Sequence, residues 1–278
     1  MILCGGTALP SRAARQQTTP NGLDQEWQVN YLSNFHLLSI LSPALRVQPA
    51  HRDVRVIFTT CSSYIGAKFD LDVVTRGIPT PSKNKKQQPQ KSSSQKRGIY
   101  ALSKLALMIF AQSFQRHLNA YVRPDSLPPC TRVLVVDPGL SRTPGMRRWL
   151  TGGSLWGLLV YLLTWPVWWL ILKSPQQGAQ SIIYAAMEER YSRGEGGWMV
   201  KECREVDLAR KDVKDDELGK RLWEFSEKQI EEAEKEAAVK RAVEKKEKES
   251  EKETQRRKET ASEKKQTAGS RRSRRNQS

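Results

Sequence analysis

Two continuous apolar runs, separated by amphipathic helix patterns, most strongly limit the folds available to this chain. The runs are "VRVIFTT" at residues 54–60 and "TRVLVVDPG" at residues 131–139. Runs without polar alternation are typical of strands in a parallel sheet whose two faces are both covered by helices. We therefore expect an α/β fold with a doubly wound parallel sheet. Its ligand site should lie at the carboxyl ends of the strands, in "CSSYIG" and "DPGLSRT".

Helix patterns and a short N-terminal run complete this alternation. Asp24 precedes a long amphipathic pattern and is suited to cap it, and Pro43 is predicted to end that helix. A second amphipathic helix is predicted for "GIYALSKLALMIFAQSF", residues 98–114. The first residues, "MILCGGTALP", lack the basic flank of a secretory signal peptide and are predicted to form a buried strand.

Composition and charge exclude several classes of function. The chain has 278 residues, a net charge of +17 and 38% hydrophobic residues, which is enough for one sizeable core. Much of the excess positive charge lies in a basic tract at 82–97 and in the final "SRRSRRNQS". No aromatic residues interleave with these segments to stack on bases, so we expect no nucleic-acid partner. The scattered cysteines and histidines show no metal-ligand spacing, so we expect no metal and a reducing compartment.

Tyr100 and Lys104 lie four positions apart at the start of the second helix, and so share one helical face. An ordinary amphipathic helix often carries such a pair, so by itself the spacing has a purely structural explanation. The other motifs of the chain must decide between that explanation and a catalytic one.

Four stretches together resemble the short-chain dehydrogenase/reductase family, and within it the members similar to retinol dehydrogenases. In chain order they are "VNYLSNF", "TTCSSYIG", "YALSK", which matches a Tyr-x-x-x-Lys motif, and "DPGLSRT", which matches a Pro-Gly-x-x-x-Thr loop. "ELGKRLWEFSEK" further resembles the C-terminal helix of the retinol dehydrogenases. Each motif alone is weak, but their order and spacing make a chance match improbable.

The resemblance implies a role for each motif. Tyr100 would exchange a proton with the substrate oxygen, and Lys104 would favour the phenolate and bind the cofactor ribose. Ser63 would hold the substrate oxygen, because Gly66 gives it the family's Ser-x-x-Gly spacing, and Ser62 is the alternative.

Two further elements of the site follow from the same resemblance. Asn30 would maintain a proton-relay water. The loop with Pro138, Gly139 and Thr143 would lie over the nicotinamide of NAD or NADP.

The chain departs from the family at its front. It contains no Gly-x-x-x-Gly-x-Gly turn of the kind that brings the pyrophosphate to a helix N-terminus, and "CGGTA" at 4–8 resembles a later stretch of the family pattern. We therefore expect a partial Rossmann-type sheet that lacks its first strands. This pattern fits a truncated sequence better than a protein that has lost cofactor binding, and both remain open.

Residues 154–173, "SLWGLLVYLLTWPVWWLILK", carry no charge before Lys173. Pro166 interrupts the run near its middle, and its length approaches the roughly 20 residues of a membrane helix. A membrane-embedded lid, as a hairpin or a span, fits this apolarity, with a buried substrate lid as the alternative. We expect association with the cytoplasmic face of the endoplasmic reticulum or with a lipid droplet.

The predicted organisation has three parts. Residues 1–210 form the partial dehydrogenase domain, with the basic tract 82–97 as a disordered insert. Residues 211–265 form a charged, solvated helix, and residues 266–278 a disordered basic tail. The predicted function is an NAD(P)-dependent oxidoreductase that interconverts a lipophilic alcohol and its ketone or aldehyde. The alternative is a non-catalytic, membrane-associated interaction protein.

Overall fold

The structure, a computed structural model, describes residues 1–8, 19, 22–75 and 93–275. It divides into two compact units, Met1–Lys228 and Gln229–Ser278. Residues 82–92 of the predicted basic insert lie outside the described residues, and a helix begins at Ser93.

A five-stranded sheet forms the centre of the first unit, with the strands in the order β1-β2-β3-β4-β5. The first four strands are parallel, and β5 joins β4 through an antiparallel hairpin. The strands are β1 (Ile2–Leu3), β2 (Val54–Thr59), β3 (Thr131–Asp137), β4 (Trp198–Lys201) and β5 (Arg204–Val206). The helices are α1 (Gln25–Trp27), α2 (Ser33–Arg46), α3 (Asp72–Thr75), α4 (Ser93–Asn119), α5 (Pro144–Thr151), α6 (Leu155–Leu163), α7 (Trp165–Ile171), α8 (Pro175–Met187) and α9 (Asp216–Arg275).

The two apolar runs form the buried strands that their sequences predict. Every residue of β3 is buried, and so are the four central residues of β2. Helix α8 packs against β2, β3 and β4, while α4 packs against β3, so helices cover the sheet. The predicted α/β class with a mostly parallel sheet is therefore confirmed.

The N-terminal strand differs from its prediction. It pairs with β2 in parallel, as Ile2 lies opposite Ile57. However, Ile2 is about half exposed, because β1 lies at the edge of the sheet and has one strand neighbour in the described chain. The expectation of a buried strand was wrong on this point.

The helical segment before β2 begins as predicted but ends later. Asp24 caps α1 by accepting hydrogen bonds from the backbone amides of Glu26 and Trp27. A five-residue π-helix, Gln28–Leu32, joins α1 to α2. Pro43 lies inside α2, which continues to Arg46, so the predicted end at Pro43 was wrong. Proline has no amide donor, but its carbonyl can still accept a hydrogen bond, so the helix can continue for one more turn.

The C-terminal helix is longer than its charge pattern predicts. It runs through Arg275 and so includes residues 266–275, which were expected to be a disordered tail. Its first turns belong to the first unit, where Leu222 and Ser226 are buried. The first compact unit therefore includes the start of this helix and ends at Lys228.

Candidate active site

Helix α4 carries the tyrosine and lysine of the sequence motif. Lys104 is 7% exposed, and its ammonium donates a hydrogen bond to the Thr59 backbone carbonyl at 3.3 Å. Its Nζ lies 6.0 Å from the centre of the Tyr100 ring. Because Thr59 ends β2, this contact places the pair at the carboxyl end of the sheet.

The two candidate serines have different partners. They begin a short 3-10 segment, Ser62–Gly66, which we call the serine turn. The Ser62 hydroxyl donates to a carboxylate oxygen of Asp137 at 2.7 Å. The Ser63 Oγ lies 2.9 Å from the Cys61 Sγ, which in turn lies 3.3 Å from the Tyr100 hydroxyl. The contacts therefore connect Ser63, rather than Ser62, to the tyrosine.

Asn30 lies on the π-helix and is fully buried. Its side-chain oxygen accepts from the Thr7 amide at 2.7 Å, and its side-chain nitrogen donates to the Thr7 carbonyl at 2.9 Å. The same nitrogen donates to the hydroxyl of Ser103, which donates to the Tyr100 carbonyl. Asn30 thus joins the loop after β1 to the helix of Tyr100 and Lys104. Single π turns occur often at functional sites.

The loop after β3 holds the remaining predicted residues, Pro138, Gly139 and Thr143. The Gly139 amide donates to Asp137 at 3.0 Å, and its φ of +75° is one that glycine adopts readily. A Cβ at this position would overlap the carboxylate of Glu202. Thr143 is exposed, and its hydroxyl caps α5 by accepting from the Met146 amide. The contacts of Thr143 thus lie within its own loop and helix.

The site's electrostatics keep the phenol protonated. Burial raises the pKa of Tyr100, and the adjacent Cys61 thiol adds to that rise. Burial lowers the pKa of Lys104, against the opposing effect of Cys61 and Cys4. In the structure as it stands, the Tyr100 hydroxyl is therefore a proton donor at neutral pH.

Three residues at the site were missed by sequence reasoning. Cys61 bridges two hydroxyls, and Asp137 joins the serine turn to the loop after β3. Arg210 donates to the backbone carbonyls of Tyr64, Ile65 and Ala67, and so holds the serine turn from a distant part of the chain. Cys61 and Asp137 stand within quoted motifs and could have been noticed there, whereas no local pattern marks Arg210.

Part of the site fits a nicotinamide cofactor. The Lys104 ammonium has three N–H donors, and among the described residues the Thr59 carbonyl accepts from one, which leaves two for ribose hydroxyls. Gly6 approaches this ammonium closely, since a Cβ there would lie 3.4 Å from the Lys104 Nζ. The given sequence contains no glycine-rich turn of the kind that binds the pyrophosphate.

A segment of apolar helices begins and ends beside this site. The amide of Arg142 donates to the Lys173 carbonyl, and the amide of Lys173 donates to the Leu140 carbonyl. Between them, α6 and α7 are short helices joined at Thr164. Twelve of their large apolar side chains are exposed, and we call this surface the apolar hairpin. Within the described residues, no helix is both long and apolar enough to cross a membrane.

Known proteins resemble this chain over most of its length. An uncharacterized oxidoreductase of Schizosaccharomyces pombe is 38% identical over 87% of this chain and 61% of that protein. The polyprenol dehydrogenase of Mus musculus is 31% identical over 74% of this chain and 53% of that protein. Retinol dehydrogenase 13 of Homo sapiens is 24% identical over 74% of this chain and 54% of that protein.

The matched region is thus a little over half the length of these relatives. No model of a protein family matches the chain. The relatives are named as an oxidoreductase, a polyprenol dehydrogenase and a retinol dehydrogenase, and the order of motifs in this chain agrees with those names. The chain thus shares the motif order and the parallel sheet of the short-chain dehydrogenase/reductase family.

Proposed function

We propose that this protein is an NAD(P)-dependent oxidoreductase that interconverts a lipophilic alcohol and its ketone or aldehyde. One observation carries the proposal. Just after the end of β2, the Ser63 and Tyr100 hydroxyls both contact the Cys61 sulfur. The Lys104 ammonium lies 6.0 Å from the centre of the Tyr100 ring. We propose that residues 1–210 form the oxidoreductase domain and that the first turns of the charged helix, up to Lys228, pack against it.

Each side chain has a role in the proposed reaction. In the reducing direction, the carbonyl carbon receives a hydride, which is the chemistry that a reduced nicotinamide supplies when bound. The Tyr100 hydroxyl donates its proton to the carbonyl oxygen, and the Ser63 hydroxyl donates a hydrogen bond to the same oxygen. Lys104 stabilises the phenolate that remains and binds the ribose.

Two further roles complete the proposed site. Asn30 fixes the position of α4 through its hydrogen bond to Ser103, and it maintains the proton relay to solvent. Pro138, Gly139 and Thr143 form the loop beside the nicotinamide.

A lipophilic substrate is supported by the relatives and by the apolar hairpin. The relatives include proteins named polyprenol dehydrogenase and retinol dehydrogenase, whose names denote long, apolar alcohols. The apolar hairpin begins and ends beside the loop after β3, so an apolar surface adjoins the proposed reaction site. We propose retinoid-, steroid- or polyprenol-like alcohols as the substrate class.

We also propose that the apolar hairpin inserts into one leaflet of a membrane, at the cytoplasmic face of the endoplasmic reticulum or on a lipid droplet. Burying twelve half-exposed apolar side chains would contribute on the order of 10 kcal/mol. Arg147 and Arg148 are exposed on α5, just before the hairpin, where they can contact anionic headgroups. Trp156, Trp165 and Trp169 suit the boundary between water and lipid.

Co-flotation with vesicles tests this membrane proposal. A Leu155→Lys/Leu170→Lys variant should lose flotation with vesicles that contain anionic lipid. The matched control is Val122→Lys, because Val122 is 86% exposed, comparable with the 85% and 81% of the two leucines, but lies outside the hairpin. Equal flotation of the double variant and the wild type would refute the proposal.

Turnover and cofactor binding test the enzymatic proposal. With a retinol- or polyprenol-like alcohol and NAD⁺ or NADP⁺, absorbance at 340 nm should rise. Tyr100→Phe should lower kcat by about a thousandfold while the fold is retained, since general acid–base catalysis typically contributes 10²–10⁴-fold. Ser63→Ala should lower the rate more than Ser62→Ala. A Tyr100→Phe protein that keeps near-normal turnover would refute the assigned role.

The second candidate is a non-catalytic, membrane-associated interaction protein. The given sequence contains no Gly-x-x-x-Gly-x-Gly turn, the element that brings the pyrophosphate to a helix N-terminus, so cofactor binding must be measured directly. Calorimetric titration with NADH and NADPH separates the two candidates. Heat of binding for either cofactor supports the enzyme and identifies its cofactor, whereas no binding at millimolar concentration favours the second candidate.

A further inference from the structure

The Cys61 thiol lies between the two hydroxyls of the proposed reaction. Its sulfur is 2.9 Å from the Ser63 Oγ and 3.3 Å from the Tyr100 hydroxyl. In the described part of the chain, it is the hydrogen-bond partner that these two hydroxyls share. The hydroxyl of the intervening residue, Ser62, donates instead to the Asp137 carboxylate.

A thiol is chemically suited to such a bridge. It carries one weak donor, and its sulfur is a weak acceptor, so it can accept from both hydroxyls or accept from one and donate to the other. Cys61 has an extended backbone, with φ −151° and ψ 161°, and directly follows the stretch in which Thr60 hydrogen-bonds to β3. The sulfur is therefore carried by the residue that links the end of β2 to the serine turn.

We propose that Cys61 is a positioning residue that holds the Ser63 and Tyr100 hydroxyls toward one common point before substrate binds. The inference rests on the proposed oxidoreductase function, in which a substrate oxygen must receive hydrogen bonds from both hydroxyls. Two hydroxyls that already converge on one weak acceptor need little reorientation when a stronger acceptor replaces it. Because thiol hydrogen bonds are weak, a substrate oxygen can displace the sulfur.

A chemical measurement tests the bridge without any need for turnover. The full chain is treated with iodoacetamide, and the alkylation rate of each cysteine is followed by peptide mass mapping. Ser63→Ala and Tyr100→Phe should each raise the rate at Cys61 by about threefold or more, because each removes a partner that holds and shields the thiol. Ser62→Ala is the matched control and should leave the rate unchanged, and Cys203 serves as the internal reference in every sample. An unchanged rate at Cys61 in both variants would overturn the proposal.

Turnover then tests the consequence for catalysis. Cys61→Val removes the bridge at similar volume and should lower kcat by about tenfold, while the KM for the alcohol stays within about twofold of wild type. Cys61→Ser keeps a bridging hydroxyl and should recover most of kcat, which a purely structural role would not require.

The two experiments separate the bridge from the activity. Wild-type kcat in Cys61→Val would overturn the positioning role. Absence of turnover in the wild type would refute the proposed function instead, while the alkylation rates would still decide whether the bridge exists.

Discussion

Replacement of Asp137 by alanine should weaken the fold at the proposed active site. Asp137 is 1% exposed, and its two carboxylate oxygens accept from the Ser62 hydroxyl at 2.7 Å and the Gly139 amide at 3.0 Å. One side chain thereby joins the serine turn to the loop after β3. Without it, the Gly139 amide loses its acceptor, whereas the exposed Ser62 hydroxyl can turn to water.

The expected magnitude follows from these two bonds. A hydrogen bond to a charged group contributes about 1.5–3 kcal/mol, and a bond whose donor is exposed contributes less. We therefore expect Asp137→Ala to lower the free energy of unfolding by about 2–4 kcal/mol. Asp137→Asn keeps the shape and an acceptor for the Gly139 amide, so it should cost about 1 kcal/mol.

Urea unfolding followed by tryptophan fluorescence provides the measurement, and hydrogen exchange at the Gly139 amide reports the local effect. Asp207→Ala removes an exposed carboxylate and should change stability by less than about 0.5 kcal/mol. In a double-mutant cycle, Asp137→Ala and Ser62→Ala should show a coupling energy of about 1 kcal/mol. An Asp137→Ala protein as stable as the Asp207→Ala control, with unchanged Gly139 exchange, would refute the reasoning.

Three further predictions concern other parts of the first unit. Arg210→Ala should speed hydrogen exchange in the serine turn and lower the free energy of unfolding, measured in urea, by about 2 kcal/mol. Arg210→Lys should recover part of that stability. Burial raises the pKa of Tyr31, so above about pH 10 the unfolded chain loses a proton that the folded chain keeps. Stability should therefore fall by about 1.4 kcal/mol per pH unit from this residue, a slope that Tyr31→Phe should remove in urea titrations at pH 10 to 11. Gly139→Ala should cost about 1–2 kcal/mol, because of its positive φ and the overlap with Glu202, whereas Gly5→Ala, with open space around the added Cβ, should be nearly neutral in the same urea assay.

Local sequence determines much of the sheet and of the helix that carries the motif. The runs 54–60 and 131–139 have uninterrupted apolar centres at 56–58 and 133–136, so they are stable as strands only where helices cover both faces. Tyr100 and Lys104 share a face wherever residues 98–114 are helical, because four residues make about one turn. The N-cap at Asp24 is equally local, since its side chain bonds amides two and three residues ahead.

Only the tertiary structure decides which groups these elements bring together. The Ser-x-x-Gly spacing favours Ser63 over Ser62, but only the fold brings Asp137, 75 residues from Ser62, to accept a hydrogen bond from the Ser62 hydroxyl. The bridge from Cys61 to Tyr100 likewise spans 39 residues, and so requires the packing of α4 against the end of β2. Pro43 shows the reverse effect, because residues 44–46 extend α2 past a residue that disfavours helix. Local patterns report the conformational preference of a few neighbouring residues, whereas these contacts depend on distances between elements that are far apart in the chain, which no short pattern encodes.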